Sequence, residues 1–458
     1  MRFMGTMTIL LWTIGAGSVA WADLTDTDAR LRTLEEKIEA LQKKNLLASQ
    51  TTAGLSLTDK VISADANDDT LQVRYKYPGF EMRTQDELFS TKLVWRAQMR
   101  YTNPNRSDPR SLADFTTREG VSNFELRRIR MKIGGHGYKK WIKYYFEIDL
   151  QPSRDYDDTS INSAPRVIDY RLTVQPIDEI GIRLGQWKIN YNRERVDSSG
   201  RQTMVDRSIV NRIFTIDRQV GVMVQGRLFK ESLADMRYYA GVFNGEGRSV
   251  NNDSGEHMYM GRLQWNFLGR DLKWRQSDIE RHQKPAGNLA FAYANNNGRC
   301  TRWSSSGCGN LSAFTAPASA TAAQFRIDQW MQEFAFKYQG LAIQQEYHRK
   351  EVEDKSTGLT HELEGLVAQV GYFFNELIPQ VPEGLELAVR YAFLEEPYSA
   401  ADNLNTNKRE EYTVGLNYFM AGHNNKVTLD YSYLTLDDFA SGREVSDNRI
   451  RLQWDISF

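Results

Sequence analysis

From residue 92 to residue 458 the chain repeats one pattern: apolar and polar residues alternate over short stretches. In "KLVWRAQMRY", Leu93, Trp95, Ala97, Met99 and Tyr101 alternate with Arg96, Gln98 and Arg100. In "HMYMGRLQWNF", Tyr259, Gly261, Leu263, Trp265 and Phe267 alternate with Arg262, Gln264 and Asn266. "EYTVGLNYFM", "KVTLDYSYL" and the final "IRLQWDISF" do the same. A period of two sends successive side chains to opposite faces of a strand, so each stretch has one oily and one wet face. About sixteen such stretches occur, each of roughly ten residues, the length a tilted strand needs to cross a bilayer.

The connections alternate as well. Tight ones fall at 137–140 ("GYKK"), 176–179 ("PIDE") and 422–425 ("GHNN"). Long polar ones fall at 104–122, 152–166, 191–218, 297–328 and 397–409. Short turns at one end and long loops at the other are the pattern of a membrane barrel. One stretch, 270–286, stands where a short turn belongs and is too long for one. A secreted β-sandwich could bury the alternating apolar face, but a closed barrel accommodates so many strands without open edges and explains the aromatic strand ends. The expected fold is therefore all-β: a 16-stranded antiparallel transmembrane β-barrel over 91–458, preceded by a short α-helical coiled-coil segment.

Composition agrees with strands rather than helices as the membrane-crossing elements. Mean hydropathy is only -0.57, yet 12% of residues are aromatic. After the first two dozen residues no apolar run is long enough for a spanning helix. A net charge of -1 gives no bulk attraction to nucleic acid. Residues 1–22 read as a secretory signal peptide, with Arg2, an apolar run and "AWA" before the cleavage point. Residues 23–50 carry heptad-spaced Leu24, Leu31, Ile38 and Asn45 with Leu34, Leu41 and Ala48, which predicts a periplasmic coiled coil that self-associates. Residues 51–90 read as a linker and lead-in. Cys300 and Cys308 lie close together in "CTRWSSSGC" and are expected to form a disulfide in an oxidising compartment. Phe458 closes the last alternating strand, as in the terminal signal read by the barrel-assembly machinery.

No nucleophile elbow or phosphate-binding loop is present. "HELEG" at 361–365 has Gly365 where a zinc protease needs its second histidine. No catalytic residue, metal site or cofactor is expected. What the sequence does carry is a wet face rich in cations. If the apolar positions face lipid, Arg96, Arg100, Arg128, Arg130, Lys132, Lys143, Arg171, Arg183, Arg227 and Arg262 face the lumen. Basic rings along a channel favour anions; lumenal acids such as Glu147, Asp149 and Asp455 could instead neutralise them. Loop 191–218 is long yet carries Val205, Ile209, Val210, Ile213 and Phe214. It is expected to fold inward as a constriction that presents Arg193, Arg195, Arg201 and Arg207.

Three stretches resemble the phosphate-selective porin O and P family: "FELRRIRMKIGGHGYKKWIKYYFEIDL" at 124–150, "IGIRLGQWKINYNRERVDSS" at 180–199, and "DRQVGVMVQGRLF" with "YYAGVFNGEG" at 217–247. The motif residues are Gly185, Gln186, Lys188, Glu194, Ser198 and Ser199. The resemblance covers about 90 to 458 and implies a trimeric barrel in the Gram-negative outer membrane, its third loop folded into the pore. It implies passive diffusion of small hydrophilic solutes, with a preference for anions such as phosphate or polyphosphate. Phosphate-selecting members use an arginine ladder and a central lysine; loop 191–218 itself has no lysine. A general non-selective porin, a barrel enzyme and an envelope tether are the alternative readings.

Overall fold

The computed structural model describes residues 71–458 except 105–108, 117–121, 152–164, 253, 306 and 313. The expected signal peptide (1–22) and coiled coil (23–50) lie outside the described residues. The elements run β1 (Leu71–Tyr75), β2 (Phe80–Thr84), β3 (Ser90–Asn103), β4 (Asn123–Gly137), β5 (Lys139–Asp149), β6 (Arg166–Ile177), β7 (Ile180–Lys188), β8 (Arg218–Leu228), β9 (Met236–Phe243) and β10 (Met258–Trp265). They continue with β11 (Ala286–Gly298), β12 (Arg302–Ser304), β13 (Gly307–Gly309), β14 (Phe325–Tyr338), β15 (Leu341–Asp354), β16 (Leu359–Tyr372), β17 (Leu385–Ser399), β18 (Asp402–Phe419), β19 (Asn425–Asp438) and β20 (Arg443–Ser457).

The main sheet has eighteen strands. Sixteen of them, β3 to β11 and β14 to β20, pair antiparallel in chain order, and β20 returns to β3 from Ile450↔Asn103 to Ser457↔Arg96. The barrel is closed. Closure supplies every strand with two hydrogen-bonded neighbours, which is what a sheet needs where no water can satisfy its backbone.

The alternation falls on the two sides of this wall. Tyr412, Val414, Leu416 and Tyr418 of β18 point out and are exposed, while Glu411, Thr413 and Asn417 point in and are buried. Leu429 and Tyr431 of β19 and Leu452 and Trp454 of β20 repeat the pattern. Aromatic rings on the outer surface meet across strands, as in Tyr391–Tyr412 at 5.1 Å, Tyr412–Tyr433 at 6.4 Å and Phe291–Trp330 at 6.0 Å. Such rows are the girdles of a lipid-facing band. A guanidinium in that band should be costly: Leu429→Arg is expected to lower stability by about 2–4 kcal/mol, measurable by denaturant titration in bilayers. A loss below 0.5 kcal/mol, on the scale of ordinary exposed positions, would place Leu429 away from lipid.

Two regions differ from the sequence expectation. The lead-in contains a hairpin: β1 pairs with β2, and β2 pairs with the start of β3 from Phe80↔Leu93 to Arg83↔Ser90. It carries Val73, Tyr75 and Phe80 exposed, and apolar residues alternate with polar ones along β1, but five-residue strands are too short to stand out in a polar stretch. The segment 397–409 is not a long loop. β17 and β18 extend to Ser399 and Asp402 and pair there, because Asn407, Lys408 and Arg409 continue the ladder despite their polarity.

The barrel has two rims. One carries the turns at 177–180 and at Gln339 and Gly340, both of which have positive φ. The other carries the connections from β3 to β4, β7 to β8 (191–218) and β11 to β14. In the last of these, Cys300 and Cys308 are bonded, with Cα atoms 5.5 Å apart, and β12 pairs with β13.

Candidate functional site

Loop 191–218 leaves β7 at the loop rim and turns into the barrel. Two short helices shape it, Arg193–Val196 and Ile209–Phe214, the second capped by the Ser208 side chain, which accepts from Asn211 N. Val210, Ile213 and Phe214 are fully buried. They pack on inward positions that are apolar or small: Val352, Leu363, Val367, Ala392 and Leu394. At Gly365 of β16 the fit leaves no room for a side chain. A Cβ there would stand 2.8 Å from the Phe214 ring and 3.3 Å from Val210 Cγ1. Gly415 of β18 does the same for Met204, at 2.5 Å from its sulfur.

Polar contacts tie the loop to the wall from β14 round to β3. On β14, Glu333 accepts from Arg193 at 2.9 Å and Gln329 donates to Phe214 O at 3.1 Å. Glu346 of β15 accepts from Glu194 N at 2.6 Å and from Asn192 at 2.9 Å. Lys350 donates to Ile213 O at 3.0 Å. Glu411 of β18 accepts from Ile209 N at 2.9 Å, and Asp430 of β19 from Val205 N at 2.8 Å. Asp206 pairs with Arg100 at 2.7 Å and Arg451 at 3.3 Å. Its carboxyl is partly buried, which opposes ionisation, but Arg100, Arg127 and Arg451 hold it well below the usual range. Arg96 reaches Ser198 and Ser199, both at 3.2 Å. Among the described residues the loop's hydrogen bonds to β4, β5 and β6 are confined to its last residue, Arg218, which donates to Asp169 of β6 at 2.8 and 3.2 Å.

The basic residues then divide by partner. Arg96 pairs with Asp455 at 2.9 Å, Arg130 with Glu147 at 2.9 Å and Asp149 at 3.2 Å, and Arg262 with Glu333 at 3.0 Å. Arg100 and Arg193 are paired as above, Arg195 pairs with Asp217, and Arg227 with Asp235. These hold the wall and the loop. Arg193, 1% exposed, is a brace rather than a pore-facing group. Arg207 is likewise a brace, donating to Glu194 O at 2.8 Å and Asp197 O at 2.6 Å.

The second group has no carboxylate at ion-pairing distance among the described residues: Arg128, Lys132, Lys143, Arg171, Arg183 and Arg201. Arg128 donates to Gln98 at 2.9 Å. Arg171 lies over the Tyr145 ring at 4.4 Å, and Arg183 donates to Asn190 at 3.0 Å. Cross-strand register gathers three of them on one wall: Lys143 opposes Thr173, which opposes Arg183, and Arg171 opposes Tyr145. Arg201, on the loop, is only partly exposed; burial, then the neighbouring Arg275, lowers it to about 10, so it stays cationic at neutral pH.

Sequence reasoning missed Lys188 as a site residue. Counting alternately from Ile182 and Leu184 assigns it to the lipid side. The chain turns inward there, and Lys188 Nζ donates to Asp197 O at 3.4 Å. The motif residues Gly185, Gln186 and Lys188 were the one available signal. The wall carboxylates Glu333, Glu346, Glu411 and Asp430 were also missed as anchors, since only the loop's position reveals what they hold.

An oily outer surface, a polar lumen sixteen strands round and a loop folded into that lumen define an outer-membrane diffusion channel, a porin. Sixteen strands leave an aqueous passage, and the architecture is that of a channel rather than an enzyme. The phosphate-selective porin O and P family matches residues 101–456, and the chain belongs to that family. Among solved structures it is similar to the Vibrio cholerae outer membrane protein OmpT lacking loop L8, with TM-score 0.52 and 10% identity over 81% of this chain and 100% of that one. It is also similar to the outer membrane channel DcaP of Acinetobacter baumannii, with TM-score 0.51 and 12% identity over 82% of this chain and 99% of that one. No curated protein sequence matches the chain.

Proposed function

We propose that this porin is a passive, anion-preferring pore that carries small hydrophilic anions, phosphate among them. One observation carries the reading. The loop takes up carboxylates of the β14–β19 wall, Glu333, Glu346, Glu411 and Asp430, as its anchors. The cations with no carboxylate at ion-pairing distance among the described residues, Lys132, Lys143, Arg171 and Arg183, stand on β4 to β7, away from those anchors. An anion passing them exchanges part of its hydration for several weak contacts in series, strong enough to enter and weak enough to leave. Lys132 and Lys188 supply ammonium groups that the loop lacks.

In this reading the turn rim faces the periplasm, where the N-terminal segment also lies, and the protein works as a homotrimer. The test is reversal potential in a planar bilayer under a potassium chloride gradient, repeated with phosphate. The expected result is an anion potential and a chloride current that phosphate reduces. A zero or cation potential would reject the anion preference; an anion potential without phosphate block would reject phosphate as a favoured solute.

A further inference from the structure

The stretch 270–286 that is too long for a turn goes inward. It connects β10 to β11 at the turn rim, the end opposite to loop 191–218, yet it reaches that loop. Arg193 donates to Lys273 O at 2.8 Å, and Gln276 accepts from Thr203 N at 2.8 Å and donates to Gln202 at 2.8 Å. Gln276, Ser277 and Asp278 are buried. Trp274 lies beneath two guanidiniums, 5.3 Å from Arg193 and 4.8 Å from Arg262.

The far side of the segment is fastened across the lumen. Ser277 donates to Glu386 of β17 at 2.9 Å, and Lys337 of β14 donates to Ser277 O at 2.7 Å. Asp278 accepts from Gly340 N in the β14–β15 turn at 2.9 Å. Arg281 reaches the β16–β17 connection, at 2.9 Å from Glu376 and 2.7 Å from Glu383 O. A chain that begins at β10 and is held at β14 and β17 crosses a chord of the barrel.

Arg275 is the chemically informative residue of this chord. It pairs with Asp197 at 3.1 Å; its own side chain is 31% exposed and that of Asp197 is 0% exposed. Asp197 is a loop carboxylate among cations. Lys188 and Arg207 both bond its backbone oxygen, and Arg201 lies four residues on. Without Arg275, an unmatched negative charge would stand among the groups an anion must pass.

We propose that 270–286 is a second constriction element, which narrows the turn-rim half of the channel against loop 191–218 and uses Arg275 to neutralise Asp197. The charge half of this proposal rests on the anion reading above; the narrowing half does not. Two variants separate them. Replacing 270–284 with a short Gly-Asn turn is expected to raise single-channel conductance about twofold or more, because the narrowest section widens. Arg275→Gln is expected to lower the chloride-to-potassium permeability ratio several-fold, and adding Asp197→Asn to restore it.

Folding is checked by heat-modifiable mobility and circular dichroism. Unchanged conductance in a folded turn-shortened variant would overturn the narrowing. An unchanged permeability ratio in Arg275→Gln, or no recovery with Asp197→Asn, would overturn the role of Arg275. If the shortened variant does not fold, Gln276→Trp takes its place; added bulk at the meeting point must lower conductance, and no change would count against the proposal. A wild-type channel with no anion preference would sink the functional reading and leave the conductance test of the segment standing.

Discussion

Exchanging Lys132 and Lys188 together for glutamate is expected to reverse the sign of the reversal potential. Each exchange removes a cation with no carboxylate at ion-pairing distance among the described residues and adds an anion. At contact distance a unit charge is worth roughly 1–4 kcal/mol between bulk water and a partly screened site. Since about 1.4 kcal/mol is a tenfold change in population, the two exchanges should shift the anion-to-cation ratio by at least an order of magnitude. Arg193→Gln is the comparison. It removes a buried brace, so it should disturb the loop while moving the ion preference much less. Equal effects of both changes would mean that ion preference follows loop position and not the free cations.

The second large effect is expected from the loop anchors. Glu346→Ala with Glu411→Ala leaves Glu194 N, Asn192 and Ile209 N without their acceptors. A buried donor without a partner costs about 1–3 kcal/mol. The loop is next to water and can relieve that cost by moving off the wall. Single-channel current should then rise several-fold and become noisier. A quiet, unchanged current would show that the packing of Val210, Ile213 and Phe214 is sufficient to hold the loop.

The barrel was legible because its signal is periodic and repeated. Leu263 and Leu416 are exposed and Arg262 and Asn417 buried, as alternation requires. The inward course of the loop was legible from a different conflict, apolar side chains such as Ile213 and Phe214 in a segment where water would otherwise surround them. Partnership was not legible. Arg130 and Arg171 look alike in sequence, yet one is matched by Glu147 and Asp149 while the other lies on a tyrosine ring. Which carboxylate meets which guanidinium depends on register and on bulges such as that between Glu147 and Ile148, and a shift of one residue reassigns every partner. Lys188 and Arg275 lie where the chain leaves the strands, beyond the reach of a parity count. Glu346 and Gly365 read as ordinary wall residues until the loop is laid against them.

The hairpin before the barrel bears on how the wall ends. β20 accompanies β3 only as far as Phe458, whose backbone bonds Trp95 in both directions at 2.7 and 3.0 Å. Below that point the side of β3 would offer bare amides and carbonyls to any extended chain nearby. β2 occupies it from Leu93 to Ser90. The site of unsatisfied pairing is thereby moved from a fourteen-residue strand of the barrel to β1, five residues long, among the described residues the outermost strand there. Short edges are poor templates for intermolecular pairing. The hairpin is thus a selvedge, a finished border that keeps the seam of the barrel from recruiting a stray strand while it is being closed.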